Sequence, residues 1–317
     1  MGIVQDATIQ LLAGIDSIYA LALAALDSGV PLSQAAADLT GGSPLDYDEI
    51  YAGGGSWRVL PAIDHPVESS RCLISGTGLS HLRSAANRDA MHAAGAPVTD
   101  SMRMYQWGVE GGRPPAGVPG VSPEWFYKGT GGNLRAHNQP LDVPPYAEDG
   151  GEEPEIAGVY IIDSTGAPRR IGMAAGNEFS DHVFEKKNYL YLASSKLRGC
   201  ALGPELAIDP DFSLVRGEVA IERAGEVIWR KAIQSGESAM CHSLANMEHH
   251  HFKFEAHRRP GDVHIHFFGA DAFSFGEGIR LADGDVMQVG WDGFGRPLRN
   301  TVRVLAGKDT LVAVRAV

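Results

Sequence analysis

The stretch EPEIAGVYIIDSTGAPRRIGMAAGNE, from Glu153 to Glu178, decides the fold of this chain. Residues 156–162 are apolar and rich in β-branched side chains, and residues 163–167 have the composition of a turn. Residues 169–176 are again suited to an extended strand. Two strand-like runs separated by a short turn are typical of a β-hairpin, and we expect one here.

Three carboxylates lie at the open end of this predicted hairpin. Glu153 and Glu155 are two positions apart, so both side chains leave the same face of a strand. The turn lies midway between Glu155 and Glu178, and the hairpin therefore returns Glu178 to the other two. Crowded carboxylates need a proton or a cation to neutralise them, and hard oxygen ligands suit Mg²⁺ or Mn²⁺. The segment predicts a metal site; the alternative is an acidic surface loop over 148–153 with the hairpin as scaffold.

Two lysines and a histidine are candidates to act beside the glutamates. Lys128 ends the aromatic run at 125–128, for which we predict a strand, and Lys196 stands in an apolar, small-residue segment, 188–202. A lysine in such a setting either extends its ammonium group to the surface or lies near the anionic cluster. His182 follows Glu178 by four residues and is a candidate for proton transfer.

The length of the chain indicates more than one structural unit. Its 317 residues exceed the usual size of one domain, and we predict a small N-terminal domain over 1–70 and a catalytic domain over 71–317. The 39 glycines and 18 prolines favour turns and much β-structure. The predicted fold class is α+β with a strand-dominated catalytic domain.

Local patterns predict the remaining elements. Apolar runs and their end signals favour helices, dense Gly, Ser and Pro favour loops, and short β-branched runs favour strands. The predictions are helices over 18–26 (ended by Ser28-Gly29), 32–39 and 84–94, loops over 41–55 and 108–123, and strands over 58–63, 71–79 and much of the last hundred residues.

Charge and cysteine content narrow the class of protein. The 27 basic and 39 acidic residues give a net charge of −12, and a negative surface repels nucleic-acid phosphates and anionic lipid. The most apolar stretch, 18–26, is too short to span a bilayer. Cys72, Cys200 and Cys241 form no CxxC pair, so neither a disulfide framework nor a thiolate zinc site is indicated. We expect a cytoplasmic protein that binds neither nucleic acid nor membrane.

Histidines are concentrated late in the chain. Seven of the 12 lie between His242 and His266, and His264 and His266 share a strand face, as zinc ligands would. There is no HExxH motif, however, and the three consecutive histidines at 249–251 point in different directions. The pattern favours structural or substrate-side histidines over a zinc site.

Several short motifs, taken in order, resemble those of the fumarylacetoacetate hydrolase superfamily over about residues 72–305. An E-x-E pair, a third acidic ligand, a Ser-Lys, a Gly-Pro, two Gly-Asp-Val turns and a late Leu-x-Asn occur in the order of that family. They stand here as Glu153-Pro154-Glu155, Asn177-Glu178, Ser195-Lys196, Gly203-Pro204, Gly261-Asp262-Val263, Gly284-Asp285-Val286 and Leu298-Arg299-Asn300.

The resemblance implies a mixed β-sandwich roll, a homodimer or homotetramer, and Mg²⁺ (or Mn²⁺) held by Glu153, Glu155 and Glu178. It also implies a 2-oxo acid or β-diketone substrate that chelates the metal. The third ligand is usually Asp, and Glu178 is longer by one methylene. Where hydrolytic members carry an H-x-x-E dyad, this chain offers Ser84 and Asn87, and neither can serve as the base that activates water.

Loss of the dyad argues against hydrolysis. Within the superfamily, the motifs most resemble the branch of 2-keto-3-deoxy-D-arabinonate dehydratases and related sugar-acid enzymes. The implied reaction is a magnesium-dependent dehydration of 2-keto-3-deoxypentonate to 2,5-dioxopentanoate, a step of non-phosphorylative pentose catabolism. Lys196 either stabilises the developing enolate or acts as a base if desolvation lowers its pKa, and His182 is the second catalytic candidate.

Substrate contacts are assigned to four side chains: Lys128, Ser84, Asn87 and Ser274. Ser274 is included because Ala270 replaces the Thr of a Gly-Thr turn that touches substrate in the family, and Ser274 or Asp271 would compensate for it. Two alternatives stay open, a 2,4-diketo-acid hydrolase with an unrecognised base and a non-catalytic protein that binds sugar acids.

Overall fold

The computed structural model describes residues 1–83 and 99–317. Seven α-helices lie in these ranges: α1 Ile18–Ser28, α2 Leu32–Asp38, α3 Tyr47–Tyr51, α4 Asp100–Gly111, α5 His182–Lys187, α6 Leu192–Lys196 and α7 Leu244–Phe252. None of them is long and apolar enough to cross a membrane.

Strands dominate the rest of the described chain. They are β1 Gly2–Gln5, β2 Thr8–Leu11, β3 Leu45–Asp46, β4 Cys72–Thr77, β5 Trp125–Thr130, β6 Leu134–Arg135, β7 Leu141–Val143, β8 Pro154–Ile162, β9 Pro168–Asn177, β10 Cys200–Leu202, β11 Val215–Arg223, β12 Glu226–Ser235, β13 Val263–Phe267, β14 Val286–Trp291 and β15 Leu298–Val304. They form sheets with the orders β1-β2-β3, β5-β4-β13-β8-β9-β10-β6 and β12-β11-β14-β15-β7. Mixed sheets with a few helices agree with the predicted α+β class.

The predicted hairpin is β8–β9, at the centre of the seven-stranded sheet. Every residue of β8 is buried, because both faces of this sheet are covered, and a continuous apolar run is the sequence pattern of such a strand. Glu155 pairs with Gly176 in the antiparallel register. In the turn, Asp163 Oδ1 accepts hydrogen bonds from the backbone N–H groups of Thr165 (2.9 Å) and Ala167 (3.0 Å). The prediction of this hairpin is confirmed.

Two hydrophobic cores lie on the two faces of the hairpin. On one face, Ile156 and Met173 pack with side chains of the five-stranded sheet such as Val289. On the other face, Val159 belongs to a core that also contains Ala22 of α1. The first 70 residues have a small sheet of their own, yet α1 packs into the core of the large sheet. The division at residue 70 stays a prediction.

Helix α1 begins and ends as predicted. The Ser17 side chain accepts a hydrogen bond from the Ala20 N–H at 3.0 Å, and Gly29 closes the helix with φ of +67°, a left-handed conformation that favours glycine. Helix α2 also matches its prediction.

Several predicted loops and strands are wrong in part. The loop predicted over 41–55 contains β3 and α3, because Asp46 caps a helix whose Tyr47 is buried. The loop predicted over 108–123 begins with the last turn of α4, in which Gly108 allows the close approach of His242. Residues 58–63 form no strand. The helix predicted over 84–94 lies outside the described residues.

One helix, α7, was not predicted among the C-terminal strands. Ser243 caps it by accepting a hydrogen bond from the Asn246 N–H at 3.2 Å, and Met247 and Phe252 are buried. Its run of histidines gives no apolar helical pattern, so tertiary packing stabilises it more than local propensity.

Candidate active site

The three predicted metal ligands converge. The Glu178 N–H donates to the Glu153 carbonyl oxygen at 3.0 Å, which closes the hairpin end. One carboxylate oxygen from each of Glu153, Glu155 and Glu178 lies within 4.8 Å of the others, and all three side chains are buried. This buried cluster excludes the alternative in which the acidic residues form only an exposed surface loop.

Two buried lysines face the glutamates. Lys128, on β5, places Nζ 2.5 Å from Glu178 Oε1 and donates to the carbonyl oxygens of Glu178 (2.8 Å) and Phe179 (2.5 Å). Lys196, at the end of α6, places Nζ 2.9 Å from Glu178 Oε2 and also contacts Glu153 Oε1. Their exposed fractions are 0% and 3%. Of the two alternatives for these lysines, the structure therefore shows proximity to the anionic cluster.

The cluster holds one carboxylate more than it holds ammonium groups. Burial and the charges of Glu178 and Glu153 raise the pKa of Glu155 well above its usual range. Glu178 is neutralised by Lys128 and Lys196, and Glu153 by Lys196, so the third carboxylate has no ammonium partner of its own. An excess negative charge among three hard oxygen donors fits a divalent cation such as Mg²⁺.

The surroundings shift the pKa values of the two lysines in opposite directions. Burial lowers the pKa of Lys128, although Glu178 opposes that effect. Burial also disfavours the charged form of Lys196, but Glu153, Glu178 and Glu185 outweigh it and raise the pKa of Lys196 well above its usual range. A lysine that stays protonated is suited to stabilise negative charge and is a poor base.

His182, the first residue of α5, contacts one of the glutamates. Its Nε2 lies 3.0 Å from Glu153 Oε1, and its ring stacks on Phe273 with centroids 4.7 Å apart. Although burial favours the neutral imidazole, the hydrogen bond and the charge of Glu153 raise the pKa of His182. The other ring nitrogen, Nδ1, is buried and has no hydrogen-bond partner among residues 1–83 and 99–317.

Ser274 lies in the loop that covers His182, but its polar groups are engaged. Its N–H and hydroxyl donate to the two carboxylate oxygens of Glu152 at 2.6 and 2.8 Å. Glu152 is fully buried, although the sequence predicts no role for it within the acidic run at 148–153. Its position directly before Glu153 was the one feature of the sequence that placed Glu152 near the site. Ser84 and Asn87 lie outside the described residues.

Other polar groups of the site were not predicted. Ser180 donates to Glu178 Oε2 at 3.0 Å, and the Gly269 N–H donates to Glu155 Oε2 at 2.6 Å. The ring of Phe126 lies 5.1 Å from Lys196 Nζ. Only Ser180 had a sequence signal, since it follows Glu178 by two residues.

Comparison with solved structures identifies the fold. No protein-family model matches the sequence, and no curated protein matches it. Among solved structures, the apo form of 2-keto-3-deoxy-D-arabinonate dehydratase superposes with a TM-score of 0.69 at 21% identity, over 96% of this chain and 95% of that one. The same enzyme complexed with magnesium and 2,5-dioxopentanoate superposes with a TM-score of 0.68 at 20% identity, over 96% and 95%. This chain has the fold of that dehydratase.

The fold extends to a second type of enzyme. A 5-carboxymethyl-2-hydroxymuconate delta-isomerase from Mycobacterium smegmatis superposes with a TM-score of 0.53 at 18% identity, over 85% of this chain and 88% of that one. The predicted resemblance to the fumarylacetoacetate hydrolase superfamily is therefore confirmed for the fold.

Proposed function

We propose that this chain is a divalent-metal-dependent hydro-lyase that dehydrates a 2-keto-3-deoxy sugar acid, a pentonate, to 2,5-dioxopentanoate in non-phosphorylative pentose catabolism. One observation carries the proposal: the buried cluster of three glutamates and two lysines occurs in a fold shared with 2-keto-3-deoxy-D-arabinonate dehydratase. The metal is Mg²⁺, with Mn²⁺ as its substitute.

The glutamates supply the ligands for the metal. Glu153, Glu155 and Glu178 hold it, and when bound it polarises the carbonyl of a 2-oxo acid as a Lewis acid. Glu153 is fixed by His182 and Lys196, and Glu155 is fixed by the Gly269 N–H. Because these hydrogen bonds and ion pairs already hold the two carboxylates in place, the carboxylates need little reorganisation when substrate binds.

Lys196 and His182 have separate roles in the proposed reaction, charge stabilisation and proton transfer. Loss of the C3 proton leaves negative charge on the substrate, and the ammonium group of Lys196 lies where it stabilises that charge. His182 takes the C3 proton and returns it to the 4-hydroxyl group, which leaves as water, so that proton and electron pair balance. Its unpartnered Nδ1 and its stacking on Phe273 suit a proton carrier held in a fixed orientation.

Lys128, Ser84 and Asn87 are the side chains that we assign to substrate binding. Ser274 is also assigned to substrate binding, and for this its hydroxyl has to leave Glu152, to which it donates. We assign no contact with nucleic acid or membrane, in line with the net charge of −12.

We also propose a homodimer or homotetramer in the cytoplasm. The surface beside α6 supports self-association, since Leu190 is 82% exposed between the exposed rings of Tyr189 and Tyr191. Light scattering on the purified protein tests this assignment, and a monomer at all concentrations contradicts it.

The test of function is turnover of defined substrates. Purified protein with Mg²⁺ and each stereoisomer of 2-keto-3-deoxypentonate should release 2,5-dioxopentanoate, and Glu153→Gln should abolish the activity. No turnover of any isomer contradicts the proposal. Pyruvate release from an acylpyruvate identifies a hydrolase instead, and tight binding of the sugar acid without turnover identifies a binding protein.

A further inference from the structure

A second cluster of metal-ligating side chains lies away from the glutamates. His251 is near the end of α7, His257 lies in the short 3₁₀ turn at 255–257, and His264 is on β13. One ring nitrogen from each lies within 4.8 Å of the others. His251 and His264 are almost fully buried, and His257 is partly exposed.

The large sheet separates this cluster from the glutamates. Along β5 the exposed Trp125 and Tyr127 alternate with the buried Phe126 and Lys128, so Trp125 and Lys128 point to opposite faces. Trp125 Nε1 lies 3.3 Å from His251 Nδ1, whereas Lys128 Nζ lies 2.5 Å from Glu178 Oε1. The histidines therefore belong to no part of the active site described above.

The ring nitrogens are already close to a metal-binding arrangement. His251 Nε2 and His264 Nδ1 are 2.9 Å apart and share one proton. Two nitrogens on a tetrahedral Zn²⁺, with bonds of about 2.0–2.1 Å, stand about 3.3 Å apart. When a metal takes its place, the proton moves to His251 Nδ1, where Ser75 Oγ accepts it and the Trp125 N–H is displaced. The two rings then need only a small separation, together with an approach of His257.

Two of the three nitrogens that face away from the cluster lie near oxygen atoms suited to fixing the rings. The His257 Nδ1–H donates to the carbonyl oxygen of His251 at 2.6 Å, which leaves Nε2 with its lone pair. His251 Nδ1 lies 3.3 Å from Ser75 Oγ. Such partners orient the imidazole ligands of metal sites. Among the residues that the structure describes, His264 Nε2 has no hydrogen-bond partner.

The buried imidazoles are neutral. Burial, followed by the charges of His257 and His266, lowers the pKa of His264 to about 3. Burial and then His266, His264 and His257 lower the pKa of His251 well below its usual range. Neutral imidazole is the form that binds metal.

A pocket of 330 Å³ gives access to the cluster. It is lined by His257 and by side chains that include Trp125, Lys253 and Phe254. A metal held by three imidazoles keeps a fourth position for water or a small anion, and the pocket is the route by which these reach His257.

We propose that His251, His257 and His264 form a second metal site, for Zn²⁺ or a similar borderline transition metal. Imidazole nitrogen is a ligand suited to these transition metals, whereas the carboxylate oxygens of the three glutamates are suited to Mg²⁺. The two sites of one chain therefore select different metals, and this proposal does not depend on the proposed reaction.

The test is metal binding in the presence of excess Mg²⁺, which occupies the carboxylates. The full chain should bind one Zn²⁺ and show the visible absorption of tetrahedral Co²⁺ when loaded with Co²⁺ alone. His257→Gln removes a partly exposed ligand and should weaken Zn²⁺ binding at least about tenfold. The matched control is His249→Gln, at an exposed position of the same histidine run, and it should bind as the unchanged chain does.

Two further measurements make the outcome decisive. Glu153→Gln should bind Zn²⁺ unchanged, which separates this site from the carboxylates. X-ray absorption of the Zn²⁺-loaded chain should show imidazole ligands, and that measurement needs no variant. Oxygen-only ligands, less than one tightly bound Zn²⁺ per chain under Mg²⁺, or equal affinities of His257→Gln and His249→Gln overturn the proposal.

Discussion

Glu178 Oε1 lies 2.5 Å from Lys128 Nζ, and the side chains of both residues are completely buried. Lys128 comes from an edge strand of the sheet and Glu178 from the end of the central hairpin, 50 residues later. An ion pair in such a place is costly to form and still more costly to break, because the remaining charge stays desolvated.

Removal of Lys128 tests this relationship. Lys128→Met should lower the free energy of unfolding by about 3–5 kcal/mol, since it removes one of the two ammonium groups that contact the buried Glu178. Mg²⁺ should restore part of the loss, so the rise in melting temperature on Mg²⁺ addition should exceed that of the unchanged chain. Lys187→Met is the control, because Lys187 pairs with Glu148 at the surface and should change stability little. Equal stability of the two variants contradicts the importance of the buried pair.

The Glu155 carboxylate should lower the stability of the metal-free protein and raise its affinity for Mg²⁺. It is the member of the cluster whose charge is least compensated, so Glu155→Gln should raise the unfolding free energy in EDTA by about 1 kcal/mol. The same change removes a ligand, and the affinity for Mg²⁺ should fall at least about tenfold. Urea unfolding and calorimetric titration measure the two effects. A variant that is both less stable in EDTA and unchanged in Mg²⁺ affinity shows that Glu155 is not a ligand.

His182 should affect the chemical step. His182→Asn keeps a polar side chain that still reaches toward Glu153 but removes the titratable ring, and kcat should fall about 10²–10⁴-fold. The control His249→Asn is at an exposed position and should leave kcat unchanged. If kcat of His182→Asn stays within about threefold while KM rises, His182 positions the substrate and carries no proton.

The turn of the central hairpin should depend on Asp163. Hydrogen bonds from Thr165 hold the pKa of Asp163 below its usual range, so its contribution to stability is present above the unfolded pKa of about 3.9 and is lost as the pH falls through the lower folded pKa. At neutral pH, Asp163→Ala should cost about 2–3 kcal/mol, whereas Asp163→Asn keeps acceptors and should cost about 1 kcal/mol. Urea unfolding between pH 7 and pH 2 should show the cost of Asp163→Ala shrinking below about pH 4. A cost that does not change with pH means that the carboxylate charge is not involved.

Local patterns were sufficient where short-range contacts fix the structure. The Asp163 turn joins two adjacent strands, so the sequence alone predicted β8–β9 and the return of Glu178 to Glu153. Helix α1 was predicted because its caps, Ser17 and Gly29, are local as well. Helix α7 was missed because its stability comes from burial of Met247 and Phe252 against distant strands.

By itself, then, the sequence determined the hairpin, the convergence of Glu153, Glu155 and Glu178, and the family of folds to look for. Only the tertiary structure decided that Lys128 and Lys196 face the glutamates and do not reach the surface. It also decided that His251, His257 and His264 meet, although they lie on three separate segments. Periodicity and turn chemistry act over a few residues, whereas which charged or imidazole groups share a buried space depends on how distant elements pack.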